Sequence, residues 1–209
     1  MPKYLEIAAC EKRSIEWDAI RDIPDPENGV EEYDMRNLPM KGVSDNTYDG
    51  VYSEHFIEHL HKQEAEAFFV EMLRILKPQG TIRTIWPSRD FVDKLLSDSE
   101  LTAEEEFFCD SYHSEFIEPY DDGKYLGHCP GEYRDATKRE RCARALLWQC
   151  GEHHYLWGID ELISKLQELG FVNVMAHEYQ HSRLADFTNI ADPDEDRKCH
   201  SAVVEAQKP

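Results

Sequence analysis

The chain has 209 residues, a formal net charge of −20 and a sequence isoelectric point near 4.8. That length can bury a substantial core, and 41% apolar against 32% charged residues excludes a disordered chain. The acidic excess argues against broad contact with a nucleic-acid backbone, and no apolar run approaches a membrane span.

Tyr4–Ala9 reads as the first strand, Cys10–Ser14 as a turn and Ile15–Ile20 as a second short strand. Pro24, Pro26, Asn28 and Gly29 mark a loop, and Val30–Asp34 forms a third strand. Residues 36–46 connect it to Tyr48. Asp49–Ser53 is a short apolar run that predicts a fourth strand. Gln63–Leu76 carries Ala65, Phe69, Met72 and Leu76 at alternating four- and three-residue steps, which is one face of a helix. Lys77-Pro78-Gln79-Gly80 stops that helix, and Thr81–Trp86 places β-branched residues alternately, as in a strand. Strand, helix and strand make a right-handed βαβ unit with parallel strands. The polar loop Ser53–Leu60 then falls at the carboxyl end of a strand, where such sheets bind ligands.

Ser88 caps a helix with Phe91, Val92, Leu95 and Leu96 on one face, and Thr102 caps another through about Tyr112. From 118 to 152 the periodicity breaks at Gly123, Gly127, Pro130 and Gly131, and this segment reads as an insertion or lid. Within it, Lys138–Arg144 reads as the polar side of a helix with Ala143, Leu146 and Leu147 inside. Ile159–Leu169 is a helix stopped by Gly170, Phe171–His177 a strand, 192–198 a charged turn and His200–Ala206 a last strand. The expected fold is therefore α/β: a Rossmann-like, mostly parallel sheet of about seven strands, with a C-terminal antiparallel hairpin and helices on both faces. Residues 1–209 are expected to form a single domain.

Cysteines at 10, 109, 129, 142, 150 and 199 include no C-x-x-C pair, so free thiols in a reducing compartment are expected. Met1-Pro2-Lys3-Tyr4 enters an apolar strand with no stretch of signal-peptide length, which gives a cytoplasmic expectation. Cys109, His113, His128, Cys129, Cys142, Cys150, His153 and His154 gather in one region. Thiolate and imidazole suit zinc, but the spacing matches no zinc pattern, and no metal site is expected.

Several pieces point one way when taken in order. Tyr48-Asp49 opens a strand, His55-Phe56-Ile57-Glu58-His59 follows it, then Leu73–Gly80 and, late in the chain, Leu169-Gly170-Phe171. Together they resemble a class I S-adenosylmethionine-dependent methyltransferase of the small type-11 kind, over roughly residues 3–95 and 155–206. The resemblance implies S-adenosylmethionine as cofactor and a methyl acceptor that is a small molecule or glycan. It implies cofactor contacts at Glu6 and Ala8 near the end of strand one, and at Asp18 as the strand-two carboxylate for the ribose hydroxyls. Asp34 and Met35 match the pair that reads the adenine edge, and Ser53 and Glu54 the strand-four end beside the methionine moiety. His55 and His59 stand at the active-site mouth. His153 and His154 precede the last helix, where the family often supplies a substrate-side histidine; His154 joins His55 and His59 as the candidate catalytic set.

The departure lies in the first loop. Ala8-Ala9-Cys10-Glu11-Lys12 stands where the family has a glycine-rich G-x-G turn, which weakens the cofactor expectation, because glycine lets backbone approach a ligand at positive φ. Two other readings follow from the sequence: a catalytically lapsed interaction or regulatory protein on the same fold, and a metal-dependent hydrolase using the Cys/His region. Each carboxylate taken singly also fits a solvated strand end, and Glu58 an ordinary helix N-terminal residue.

Overall fold

A computed structural model describes residues 2–8, 17–21, 24–117, 136–178, 181–183, 187 and 198–209. The strands are β1 (Tyr4–Ile7), β2 (Asp18–Arg21), β3 (Val30–Glu32), β4 (Tyr48–Glu54), β5 (Leu76–Pro87), β6 (Val172–His177) and β7 (Ser201–Gln207). The helices are α1 (Lys62–Ile75), α2 (Arg89–Leu95), α3 (Ala103–Tyr112), α4 (Lys138–Trp148) and α5 (Ile159–Glu168). The strands form one seven-stranded sheet in the order β3-β2-β1-β4-β5-β7-β6. β1 to β5 pair in parallel, and β7 runs antiparallel to both β5 and β6. The expected Rossmann-like sheet with a C-terminal antiparallel hairpin is what the chain adopts. The strand order reverses at β1 and β4, which makes their carboxyl ends the crevice of the sheet.

The alternation of side chains along the strands gives the sheet two cores. Leu5, Ile7, Val51 and Ile82 face α1 and α5, where they meet Phe68, Phe69, Met72, Ile75, Leu162 and Leu166. Phe68, Phe69, Met72 and Ile75 are fully buried, and burial of each is worth roughly 1.5–3 kcal/mol. On the other face Tyr4, Trp17, Tyr52, Ile85, Phe187 and Val203 form an aromatic-rich cluster. A third cluster joins Phe91, Val92 and Leu95 of α2 to Phe108 and Cys109 of α3 and Cys142, Ala143 and Leu146 of α4.

Caps fall where the sequence places them. The Ser88 hydroxyl accepts from Asp90 N, and Thr102 forms a reciprocal box with Glu105. Asp49 is structural: its Oδ2 accepts from Lys3 N at 2.7 Å and from Lys77 Nζ at 2.6 Å, tying β1, β4 and the end of α1 together.

Three expectations shift. β2 opens at Asp18 instead of ending near it. β5 begins at Leu76, because the Lys77–Gly80 turn is itself drawn into the sheet: Gln79 N donates to Lys208 O and Lys208 N to Gly80 O, both at 3.0 Å. The expected irregular lid at 118–152 lies outside the described residues up to 135. From 138 it is a regular helix, capped by Thr137 and Glu140, with Cys142, Ala143, Ala145 and Leu146 buried. Among the described residues, no helix is long and apolar enough to cross a membrane.

Candidate functional site

The carboxyl end of β4 is where ionisable side chains crowd together. β4 ends at Glu54, and His55 then takes a left-handed backbone, φ 47°, held by its own N–H donating to Ile85 O at 2.9 Å. Positive φ in a non-glycine residue carries strain and re-aims its side chain. A short 3-10 turn, Ile57–His59, follows and buries Ile57 and Glu58. Glu58 is fully buried. Its Oε1 lies 3.4 Å from His55 Nδ1 and 3.9 Å from His59 Nε2.

His153 closes the arrangement from the far side. The backbone carbonyl of Glu58 accepts from His154 N at 2.8 Å and from Tyr155 N at 3.2 Å, which straps 153–157 onto the 3-10 turn. The strap is fixed at its other end by Lys62 Nζ, which donates to Tyr155 Oη at 3.0 Å and to Glu161 at 2.6 Å. Trp86 Nε1 also donates to Trp157 O at 2.8 Å. His153 is buried, its Nδ1 bonded to Leu146 O of α4, and its ring meets His59 edge-on with centroids 4.9 Å apart. One ligand-capable atom each from Glu58, His59 and His153 lies within 4.8 Å of the others.

The electrostatics follow from this packing. Burial alone would push the Glu58 carboxyl upward, but His55, His153 and His59 around it more than offset that and hold it below the usual carboxylate range. Burial holds His153 below the ordinary imidazole value, so it is neutral near pH 7.

The candidate residues from the sequence divide by position. Ala8 follows β1 with φ 61°, so alanine adopts here the left-handed turn for which the family uses glycine; its N–H donates to Ile20 O at 2.9 Å. Glu6 is buried in β1 and level with Tyr52, which places it on the same sheet face as Glu54. Tyr52 Oη donates to Glu54 Oε2 at 2.8 Å. Ser53 is buried and its hydroxyl donates to Thr84 Oγ1 at 2.9 Å. Asp34 follows β3 and pairs with Arg36 Nε at 2.9 Å, which holds its carboxyl below the usual range. Met35 is buried in the main core.

Asp18 is not with them. It pairs in register with Leu5, two residues before the Ile20–Ile7 pair. At about 3.3 Å per residue it stands roughly 10 Å back along the strands from Ala8. There it accepts from Tyr48 Oη at 2.8 Å and pairs with Lys3 at 2.9 Å, beside a polar cavity of about 220 Å³ also lined by Glu31, Lys41 and Tyr48. Asp18 thus opens β2, whose carboxyl end is Arg21. His154 is exposed and stacks on His61 with centroids 4.2 Å apart, while its neighbour His153 turns inward. The rest of the first loop, 9–16, lies outside the described residues, as do His128, Cys129 and Tyr133. The Cys/His region is not one cluster, because Cys109 and Cys142 pack in the helical core while His153 joins Glu58.

Glu58 is the residue that sequence reasoning passed over. The signal was present: His55, Glu58 and His59 stand at i, i+3 and i+4, the spacing that brings side chains to one side of a helical turn.

A doubly wound sheet with this strand order and an antiparallel last hairpin is the architecture of class I methyltransferases. The family described as "Methyltransferase domain" matches residues 12–84. The chain is similar to a S-adenosylmethionine-dependent methyltransferase from Archaeoglobus fulgidus at 15% identity and TM-score 0.54, over 99% of this chain and 86% of that one. It is similar to a chain of the complex between the Haloferax volcanii Trm112 methyltransferase activator and a methyltransferase, at 10% identity and TM-score 0.53, over 100% of this chain and 83% of that one. A protein titled as a possible exported protein from Bordetella parapertussis matches at 13% identity and TM-score 0.52, over 99% of this chain; the chain spans 61% of that protein's length. No curated protein matches. The family match over part of the chain and the fold thus point the same way: the chain has the class I S-adenosylmethionine-dependent methyltransferase fold.

Proposed function

We propose that this protein transfers a methyl group from S-adenosylmethionine to an oxygen or nitrogen of a small molecule or glycan. The observation that carries the reading is the set of buried carboxylates and imidazoles at the carboxyl ends of β1 and β4, at the switch point of the sheet. Glu6, Glu54 and Glu58 are all buried there, which suits a ligand bearing a positive sulfonium.

Ala8, Glu6, Ser53 and Glu54 would line the methionine side, and Asp34 with the backbone of Met35 the adenine side. S-adenosylmethionine, when bound, supplies a methyl group already activated on sulfur, so the protein's part is alignment and, for a hydroxyl or ammonium acceptor, removal of a proton. His59 Nε2 is a base for that proton. Its Nδ1 faces Glu152 O at 3.2 Å, which places the ring hydrogen on Nδ1 and leaves Nε2 with its lone pair. His55 touches the other flank of Glu58, and its Nε2 lies 3.2 Å from Ser201 Oγ.

Calorimetric titration of the whole chain with S-adenosylmethionine and S-adenosylhomocysteine tests this. Saturable binding of either is expected, and no heat with either at millimolar ligand sinks the reading.

A second reading has its own support. The first loop lacks both glycines, and Asp18 stands away from the carboxyl edge, as in a chain that keeps the fold for interaction or regulation. Ala8→Gly combined with Cys10→Gly separates the two: binding that appears only in the double variant favours the lapsed enzyme.

A further inference from the structure

Glu58, His59 and His153 converge at the end of β4, with one ligand-capable atom of each within 4.8 Å of the others. The Nδ1 atoms of His59 and His153 each meet a backbone carbonyl, of Glu152 and Leu146. A carbonyl only accepts, so each ring carries a hydrogen on Nδ1, which leaves Nε2 as the nitrogen that can ligate when the ring is neutral. Glu58 is fully buried with His55 Nδ1 3.4 Å from its Oε1, and among the described residues the buried Nε2 of His153 has no hydrogen-bond partner. Acceptors facing acceptors in a dry site repel unless a cation lies among them.

The spacing favours a metal over a proton. A shared proton needs heavy atoms about 2.7–3.2 Å apart. Here the Glu58–His59 distance is 3.9 Å, and the three ligand atoms spread over no more than 4.8 Å. Ligand atoms about 2.0–2.2 Å from a tetrahedral zinc lie roughly 3.3–3.6 Å from one another, so a contraction of at most about 1.2–1.5 Å closes this set onto an ion. The Nδ1-to-carbonyl bonds are the outer partners that orient metal-binding imidazoles.

We propose that Glu58, His59 and His153 bind one divalent transition-metal ion, zinc in the first instance, through one carboxylate oxygen and the two Nε2 atoms, with a coordination position left for an oxygen ligand. Two imidazoles and one carboxylate are the donor set of open zinc sites, in contrast to the closed four-ligand structural sites. An ion there would take the lone pair of His59 Nε2, so that the ion replaces His59 as the means of proton removal by holding and acidifying a hydroxyl of an acceptor beside the methyl donor. That consequence rests on the methyl-transfer reading, whereas the metal site does not.

The test titrates the chelator-stripped full chain with Zn²⁺ by calorimetry and with Co²⁺ by visible absorption. Expected are one equivalent bound at micromolar protein and a cobalt band without thiolate-to-metal charge transfer. His59→Ala, at a partly exposed position, and Glu58→Gln each weaken binding by at least the roughly 10–100-fold that loss of an outer partner costs. His154→Ala, next in sequence but turned outward, leaves it unchanged. No stoichiometric uptake, uptake that His59→Ala does not weaken, or a thiolate band overturns the proposal. S-adenosylhomocysteine titrated into the same samples keeps the two readings apart: metal uptake without its binding leaves the metal site standing and removes methyl transfer, and the converse result does the reverse.

Discussion

Arg83 on β5 and Glu205 on β7 are register partners across the antiparallel pair, with Nη1 donating to Oε1 at 3.1 Å and neither side chain exposed. Glu205 is the hub of this contact. The Ser182 hydroxyl donates to it, Arg183 N donates to its Oε2 at 3.1 Å, and His177 Nε2 lies 3.3 Å away. Arg83 also donates to His181 O at 2.7 Å. The pair therefore anchors His177 and residues 181–183 to the sheet.

A buried pair of this kind is costly to split. Glu205→Ala should remove the countercharge that pairs in register with the buried Arg83 and lower unfolding free energy by about 3–5 kcal/mol. Replacing both members, Arg83→Met with Glu205→Leu, should recover much of the loss, because no charge is then stranded. Urea denaturation of the two variants checks this; a double variant as weak as the single one contradicts it.

Glu71 gives the acid limb. Its carboxylate receives Arg74 Nε at 2.8 Å and Nη2 at 2.7 Å, and Met40 N at 2.7 Å, which fastens the connection before β4 to α1. The Arg74 side chain, chiefly, holds the carboxyl below its ordinary value. A group depressed on folding contributes its stability above its unfolded pKa, about 4.3, and loses it as pH falls through the lower folded value. Glu71→Gln should therefore cost stability at pH 7 and flatten the fall below about pH 4.3. Thermal midpoints between pH 7 and pH 3 report it, and parallel curves for variant and parent would contradict it.

The fold was more legible than the site, for a physical reason. Periodicity marks α1 and α5 within a residue because each buries one long apolar face. The start of β2 at Asp18 was not legible because the strand is only four residues long, too short for alternation to fix its ends. The choice between His153 and His154 turns on which of two successive residues in an extended strap faces inward. That is decided by the Glu58 carbonyl and Leu146 O, partners far away in sequence. Gln79 shows the opposite case: Lys77-Pro78-Gln79-Gly80 marked the end of the helix in the sequence, and the φ of Gln79 is 67°.

That turn yields a stability prediction. Gln79 carries a left-handed backbone that disfavours a Cβ by about 1–2 kcal/mol, partly offset by the entropy glycine loses on folding. Gln79→Gly should raise unfolding free energy by about 0.5–1 kcal/mol. Its neighbour behaves in reverse: a Cβ on Gly80 would stand 2.9 Å from Lys77 O and 3.1 Å from Asp49 O, both backbone atoms. Gly80→Ala should destabilise by about 1–3 kcal/mol. Denaturant midpoints for the two single variants should therefore move in opposite directions, and a shared direction would refute the local argument.

Two adjacent histidines should respond differently to the same truncation. His153→Ala removes a buried ring, frees Leu146 O inside the protein and takes one imidazole from beside the buried Glu58 carboxylate. The stranded carbonyl alone costs about 1–3 kcal/mol. His154→Ala removes an exposed ring and its stack on His61, while the main-chain bond from residue 154 to Glu58 O does not depend on the side chain. An exposed substitution of that kind stays within about 0.5 kcal/mol of the parent. The comparison also separates strap from site: if the strap were held by side chains on its outer face, the two variants would unfold together. Chemical denaturation at pH 7 decides it, because only the inward ring touches both α4 and the turn that ends β4.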